Sequence, residues 1–383
     1  MLGFRSDRRA ACGRTLEEPP ESPDREGALK VLLATYGWWG EFPTYVARAL
    51  RHHGVSVREC VVYDSMRRLG DRIVVRRVRR LRSTPLRPLA DFVVRRHLAA
   101  AQSRLIRAAS EWKPDLVLVL PEEWVLASTL RELRRSTGGA LLTVWNTDDP
   151  FTKENFAEAL PLYDYVFCFD TAYIPSLRAV CTGEVIELPI ACDPEVYRPV
   201  RLTDEERRRY GNDVAFIGTW LPNRQEVLEA IADLDIGIWG WGKARRLPIP
   251  PIMRSKVRAG LITNEQANLV YNASRVVVNI HHAQVRNTVT RGFEAPASGA
   301  FQIIDEKPDL PRFFVPQEEV VTFRTPSELR ALVLEYLADP ARRAEIARRA
   351  RRRVLAEHPD EHRVATLLEA VGWRASAPDA HTS

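Results

Sequence analysis

Arg291 and Glu294 stand one helical turn apart in Arg291-Gly-Phe-Glu294, after the apolar run Val276–Ile280 and the polar loop 281–290. A guanidinium offers a planar fork of donors that fits phosphate, and a carboxylate accepts from a pair of sugar hydroxyls. Spacing of three puts both on one helix face. A mutual surface ion pair is the competing reading. Strand, loop, helix and the second apolar run Phe301–Ile304 form a βαβ element. In an open α/β sheet the ligand sits where strand ends meet helix N-termini, so a ribose and a phosphate are the groups such a pair would grip.

Other residues can join that chemistry. Arg224 follows Gly218 at the start of a helical stretch, a second phosphate candidate, although in a chain with 50 arginines a surface role competes. His281 and His282 end the Val276 strand, and backbone N–H groups around Asn287 and Thr288 are available to a sugar or phosphate. Trp239 and Trp241, separated by Gly240, offer indoles for stacking on a nucleobase, with core packing as the alternative for at least one of them. Nearer the N-terminus, Gly37, Trp38, Trp39 and Gly40 form a loop that a phosphate or sugar could approach closely, though it lacks the full dinucleotide fingerprint. Asp148 and Asp149 end another strand. Paired carboxylates can separate their pKa values and leave one poised as a base, while Asp149-Pro150 before a helix is also ordinary capping chemistry. Asp148 is therefore the catalytic candidate and Asp149 the cap.

Strands alternating with helices must position these groups. Apolar runs at Lys30–Thr35, Val55–Val62, Asp115–Leu120, Ala140–Trp145, Asp164–Phe169 and Val185–Leu188 predict one parallel sheet. The proline-rich Pro189–Pro199 reads as a hinge. A second series follows at Val214–Ile217, Ile236–Trp239, Val276–Ile280, Phe301–Ile304 and Val320–Phe323, then a helical tail interrupted at His358-Pro359. The expected organisation is a disordered leader (1–27), a Rossmann-like domain (28–190), a second one (191–356), a C-terminal helix (357–374) and a disordered tail (375–383). A chain of 383 residues suits two domains. No apolar run approaches the ~20 residues of a spanning helix. The five cysteines are scattered without metal spacing, which suggests reduced thiols and a cytoplasmic setting. No metal-ligand cluster and no cofactor motif is visible.

Net charge is +6, with only six lysines. The arginines crowd between Arg67 and Arg107, where only Asp71 and Asp91 oppose them and apolar residues interleave at helical spacing. A solvated helix pair, an anionic acceptor site and a membrane-surface patch are the readings. Nucleic acid is the poorest fit, because the basic stretch is local and no helix-turn-helix signature appears.

The motifs Asp148-Asp-Pro150, Pro189-Ile-Ala-Cys-Asp-Pro194, Val214-Ala-Phe-Ile-Gly-Thr-Trp-Leu-Pro-Asn-Arg224, Gly237-Ile-Trp-Gly-Trp-Gly242, Arg291-Gly-Phe-Glu294 and Glu357-His358 with Arg363 occur in order. Together they resemble GT-B glycosyltransferases, especially the spore-maturation (CgeB-like) branch, over about residues 30–373. The resemblance implies two Rossmann-like domains facing across a cleft, with a C-terminal helix crossing back. It implies a hexosyltransferase-like enzyme moving a sugar from a nucleoside-diphosphate donor, without metal and with retention of configuration. The donor would lie on the second domain and the acceptor on the first. Glu294 resembles the second glutamate of a Glu-x7-Glu motif, which binds ribose hydroxyls; Arg286 replaces the first. A GT-B-fold sugar-nucleotide epimerase and a non-catalytic sugar-nucleotide-binding protein are the alternatives.

Overall fold

The computed structural model describes residues 28–36, 42–63, 85, 87–120, 125–152, 154–242 and 244–373. The leader 1–27, the Gly37–Gly40 loop, the 64–84 part of the arginine-dense segment and the tail 375–383 lie outside them.

The first sheet is built from β1 (Lys30–Tyr36), β2 (Ser56–Tyr63), β3 (Leu116–Val119), β4 (Leu141–Asn146), β5 (Tyr165–Cys168) and β6 (Glu184–Glu187). All neighbours are parallel, in the order β2-β1-β3-β4-β5-β6. Helices cover both faces: α1 (Phe42–His52), α2 (Arg87–Trp112), α3 (Ala127–Thr137), α4 (Glu154–Ala159) and α5 (Ile174–Val180). β3 is buried throughout, as a strand covered on both faces must be. α1 turns Val46, Ala49 and Leu50 inward and gives way to Gly54, whose φ of 75° a side-chain-free residue adopts easily.

The second sheet contains β7 (Val214–Ile217), β8 (Ile236–Trp239), β9 (Val257–Ala259), β10 (Val276–Asn279), β11 (Gln302–Asp305) and β12 (Val321–Phe323). Its order, β12-β11-β10-β7-β8-β9, is the dinucleotide-fold order with the chain reversing direction between β7 and β10. Around it lie α6 (Asp204–Tyr210), α7 (Pro222–Glu229), α8 (Pro251–Lys256), α9 (Asn264–Ala273), α10 (Thr290–Ala297), α11 (Pro326–Ala338) and α12 (Pro340–Glu357). Strand β9 has no counterpart among the expected runs. It is a three-residue edge strand, only half-buried, with Arg258 at its centre, so it carries no apolar signature. The expected strand Phe301–Ile304 moves one residue on, which places Asp305 at its end.

His358 ends α12, and Pro359, extended at ψ 154°, caps the last helix α13 (Asp360–Ala370). Val364, Leu367 and Leu368 of α13 pack with Val46, Leu50 and Leu33 in the first domain's core. Fully burying a leucine-sized side chain contributes about 1.5–3 kcal/mol, so this helix belongs energetically to the domain it returns to. The chain thus passes between halves twice, and a parallel bridge joins Cys192 to Pro359 where the crossings meet.

A second set of contacts joins the two halves. Buried Asp170, just past β5, accepts from the backbone N–H of Ala172 at 2.8 Å within its own turn. It also takes Arg286 N–H at 2.8 Å and Asn287 N–H at 3.1 Å from the second domain. Asn287 donates its side-chain amide to the Phe169 carbonyl, and Thr171 donates to Asp309. Arg312 forks onto Glu187 at 2.7 and 2.9 Å.

Candidate active site

The reversal between β7 and β10 leaves a crevice at the carboxyl ends of both strands, and the two connections flanking it carry the candidate residues. β7 runs into Gly218, and β8 into Gly240. A side chain at Gly240 would bring Cβ to 2.0 Å from the Gly218 carbonyl oxygen, at a φ of +104°. Only paired glycines let these turns approach so closely. Beyond Gly218, α7 begins, and buried Arg224 on its first turn reaches across the crevice. Its Nε donates to the Ile280 carbonyl at the end of β10 at 2.8 Å, and Nη1 donates to the Thr219 carbonyl at 3.0 Å and hydroxyl at 3.1 Å. Burial, then the nearby Arg291, pushes the guanidinium's pKa down to about 10. Among the described residues no carboxylate lies within salt-bridge distance of it. A buried cation with neutral partners and a second cation nearby is a place prepared for an anion.

After β10 the chain alternates sides. His281 is wholly buried, with Nδ1 2.5 Å from Asp305 and Nε2 accepting the Val289 N–H at 3.3 Å. It fastens the loop rather than facing the cleft. His282 is only partly covered; that partial burial of its ring, then Arg224, lowers its pKa, while Asp148 acts in the opposite sense. Asn287 and Thr288 are both fully buried. Asn287 serves the seam with Phe169 and Asp170, and Thr288 packs so tightly that a Cβ on Gly292 would meet its hydroxyl at 1.8 Å.

Helix α10 then presents Arg291 and Glu294. Glu294 is only 5% exposed while the Arg291 side chain is 39% exposed, so the two pair at a half-buried edge. Its Oε2 accepts from the Tyr271 hydroxyl at 3.0 Å and lies 3.4 Å from Arg291 Nη1. Oε1 has no bond among the described residues. Burial, then Glu294, pushes the Tyr271 phenol up, keeping it a donor. The hydroxyl of buried Tyr197, whose pKa burial and then Glu294 also raise, has no partner among the described residues. Tyr271 and Tyr197 escaped the sequence analysis because each reaches the site from a distant element, α9 and the hinge, with no local motif to mark it.

Trp239 and Trp241 are 2% and 1% exposed and lie in two different parts of the core. Indole stacking on a base is therefore corrected to core packing for both. Across the cleft, Asp148 is exposed beyond β4, and its Oδ1 accepts from Asp149 N–H at 2.9 Å. Asp149 accepts from Phe151 N–H at 2.9 Å within a local turn; α4 begins only at Glu154, so this is not the helix cap expected of it. The loop Gly37, Trp38, Trp39, Gly40 lies outside the described residues.

Residues 219–369 match a protein-family model described as glycosyl transferase-like. No curated protein matches the chain in sequence. Among solved structures, the sucrose-phosphate synthase of Thermosynechococcus elongatus is similar at 15% identity and a TM-score of 0.60, over 90% of this chain and 98% of that one. HepE of Anabaena, in complex with UDP-glucose, is 13% identical with a TM-score of 0.59, over 90% and 99%. A UDP-N-acetylglucosamine 2-epimerase is 13% identical with a TM-score of 0.51, over 93% and 100%. The chain has the GT-B fold: two six-stranded parallel α/β sheets with a helix crossing back. No helix among the described residues is long and apolar enough to cross a membrane.

Proposed function

We propose that the protein is a glycosyltransferase of the hexosyltransferase kind, taking its sugar from a nucleoside-diphosphate donor held by the second domain. The observation that carries this reading is the convergence of Arg224, Arg291 and Glu294 on the crevice between β7 and β10. Two guanidiniums supply the charge that a departing diphosphate needs, so the transfer is proposed to run without metal. Glu294, oriented by Tyr271, offers Oε1 to the ribose. Asp148, in electrostatic reach of His282, is proposed to meet the acceptor hydroxyl from the first domain. Retention of configuration and membership of the spore-maturation (CgeB-like) branch belong to the same proposal and rest on the motif resemblance. The UDP-glucose bound to HepE supports a sugar nucleotide as ligand.

The test is a thermal-shift panel of UDP-, GDP- and dTDP-sugars, followed by transfer of label from any stabilising donor. A ligand that binds only the folded state raises its apparent stability, by about 2.7 kcal/mol at a hundred times its Kd. Absence of any shift across the panel would sink the donor site. The epimerase match supports a second reading, in which a bound donor isomerises without an acceptor. Isomerised donor in an acceptor-free mixture selects that reading.

A further inference from the structure

One feature of the sequence takes no part in the donor site. Between Arg67 and Arg107 thirteen arginines are opposed by Asp71 and Asp91 alone, a net +11. The chain as a whole nets +6, so everything outside this segment nets −5. The charge of the molecule is thus polarised, with one strongly positive stretch on an otherwise acidic chain.

Helix α2 carries the C-terminal part of that stretch, and its two sides differ sharply. Leu98, Gln102, Leu105, Ala109 and Trp112 are turned into the first domain. Leu89, Phe92 and Val93, spaced by three and four on one stripe, are 57%, 57% and 45% exposed. Arg96 continues the stripe one turn on, with its guanidinium 6.0 Å from the Phe92 ring, and Arg107 is also exposed. Large apolar side chains exposed side by side next to cations are uncommon on a surface that faces only water. A soluble anion would use the charge and leave the apolar stripe idle. An acidic lipid surface uses both, because the headgroups attract arginine while leucine and phenylalanine enter the acyl boundary.

We propose that the N-terminal half of α2 docks the protein onto anionic membrane surfaces, with Leu89, Phe92 and Val93 inserted and Arg96 among the headgroups. This docking is separate from the donor site and holds or fails without it.

Co-sedimentation of the full chain with phosphatidylcholine vesicles, and with vesicles in which ~30% of the lipid is phosphatidylglycerol, tests it. Binding is expected to the acidic vesicles only, and to weaken by about tenfold or more as salt rises from ~0.1 to ~0.5 M. The triple variant Leu89→Ser, Phe92→Ser, Val93→Ser should bind the acidic vesicles at least ~10-fold more weakly. Arg96→Glu with Arg107→Glu should lose most of the salt-sensitive part. All these positions are exposed, and an unchanged melting temperature confirms that each variant folds. Equal binding to neutral vesicles, no binding to either, or full binding by the triple variant overturns the proposal. A soluble acidic partner occupying this face would appear as the second of these outcomes.

Discussion

On the proposed assignment Glu294 meets the ribose and Arg291 the phosphate, so the two make separable predictions. Glu294→Ala removes charge-assisted bonds worth roughly 1.5–3 kcal/mol, so calorimetric titration should show about a ten- to hundred-fold loss of affinity for nucleoside and nucleoside diphosphate alike. Arg291→Ala should weaken the diphosphate far more than the nucleoside; equal losses for the two ligands would remove Arg291 from the phosphate. Asp148→Asn should lower turnover by at least ~100-fold while donor binding persists, and near-normal turnover would leave Asp148 as a loop residue only. The spacing of Arg291 and Glu294 was legible in the sequence because one helical turn is a fixed geometry. Tyr271 was not, since its bond to Glu294 spans 23 residues and two elements. The two histidines show a limit of another kind. At the end of a strand, neighbours point to opposite sides, so His281 and His282 could not both line a cleft. Trp239 and Trp241 sit next to glycines for the sake of the Gly218–Gly240 approach, and the indoles themselves fill core.

Among the elements, the strands were the readable part, because a parallel strand buried on both faces must be a continuous apolar run, as β3, β7 and β8 are. Strand β9, at an edge, is under no such demand. The break between α12 and α13 was also visible as His358-Pro359, but its ionisation was not. Burial, then Arg363, pushes His358 down from 6.5 to about 4. Burial above all pushes Asp360, whose two oxygens have no partner among the described residues, up from 3.8 to about 7. The signs oppose. The His358 contribution is full above pH 6.5 and is lost as pH falls toward 4; the Asp360 contribution is full below pH 3.8 and is lost as pH rises through 7. Between those limits each is worth up to about 1.4 kcal/mol per pH unit, and together they nearly cancel. Asp360→Asn should therefore make stability climb with pH between about 4.5 and 6.5, and His358→Gln should make it fall. Urea midpoints at the two ends of that window decide it; identical pH dependence in both variants and the parent would show that neither group is held as described.

At the scale of the whole molecule, Asp170 ties the two halves together outside the two crossings. Asp170→Ala leaves the N–H groups of Arg286 and Asn287 without their acceptor, at a cost of about 1–3 kcal/mol for each that stays buried. A lowered melting temperature with intact nucleotide affinity is expected, and an unchanged one would mean that the seam contributes nothing to stability. The overall two-sheet plan was legible from alternating strands and helices, with the proline-rich stretch between the series. The seam was not, because it pairs an aspartate with backbone groups 116 residues away, and backbone groups leave no trace in a sequence. The double crossing has a mechanical meaning of its own. A single linker acts as a ball joint, free to bend and to twist. Here two crossings are clamped together at Cys192 and Pro359, so they behave as two pins of one door. Torsion of one half against the other is resisted at the clamp, and a swing about an axis through it must first break the Asp170 bonds to Arg286 and Asn287. A donor on one leaf and an acceptor on the other would then meet along one fixed arc.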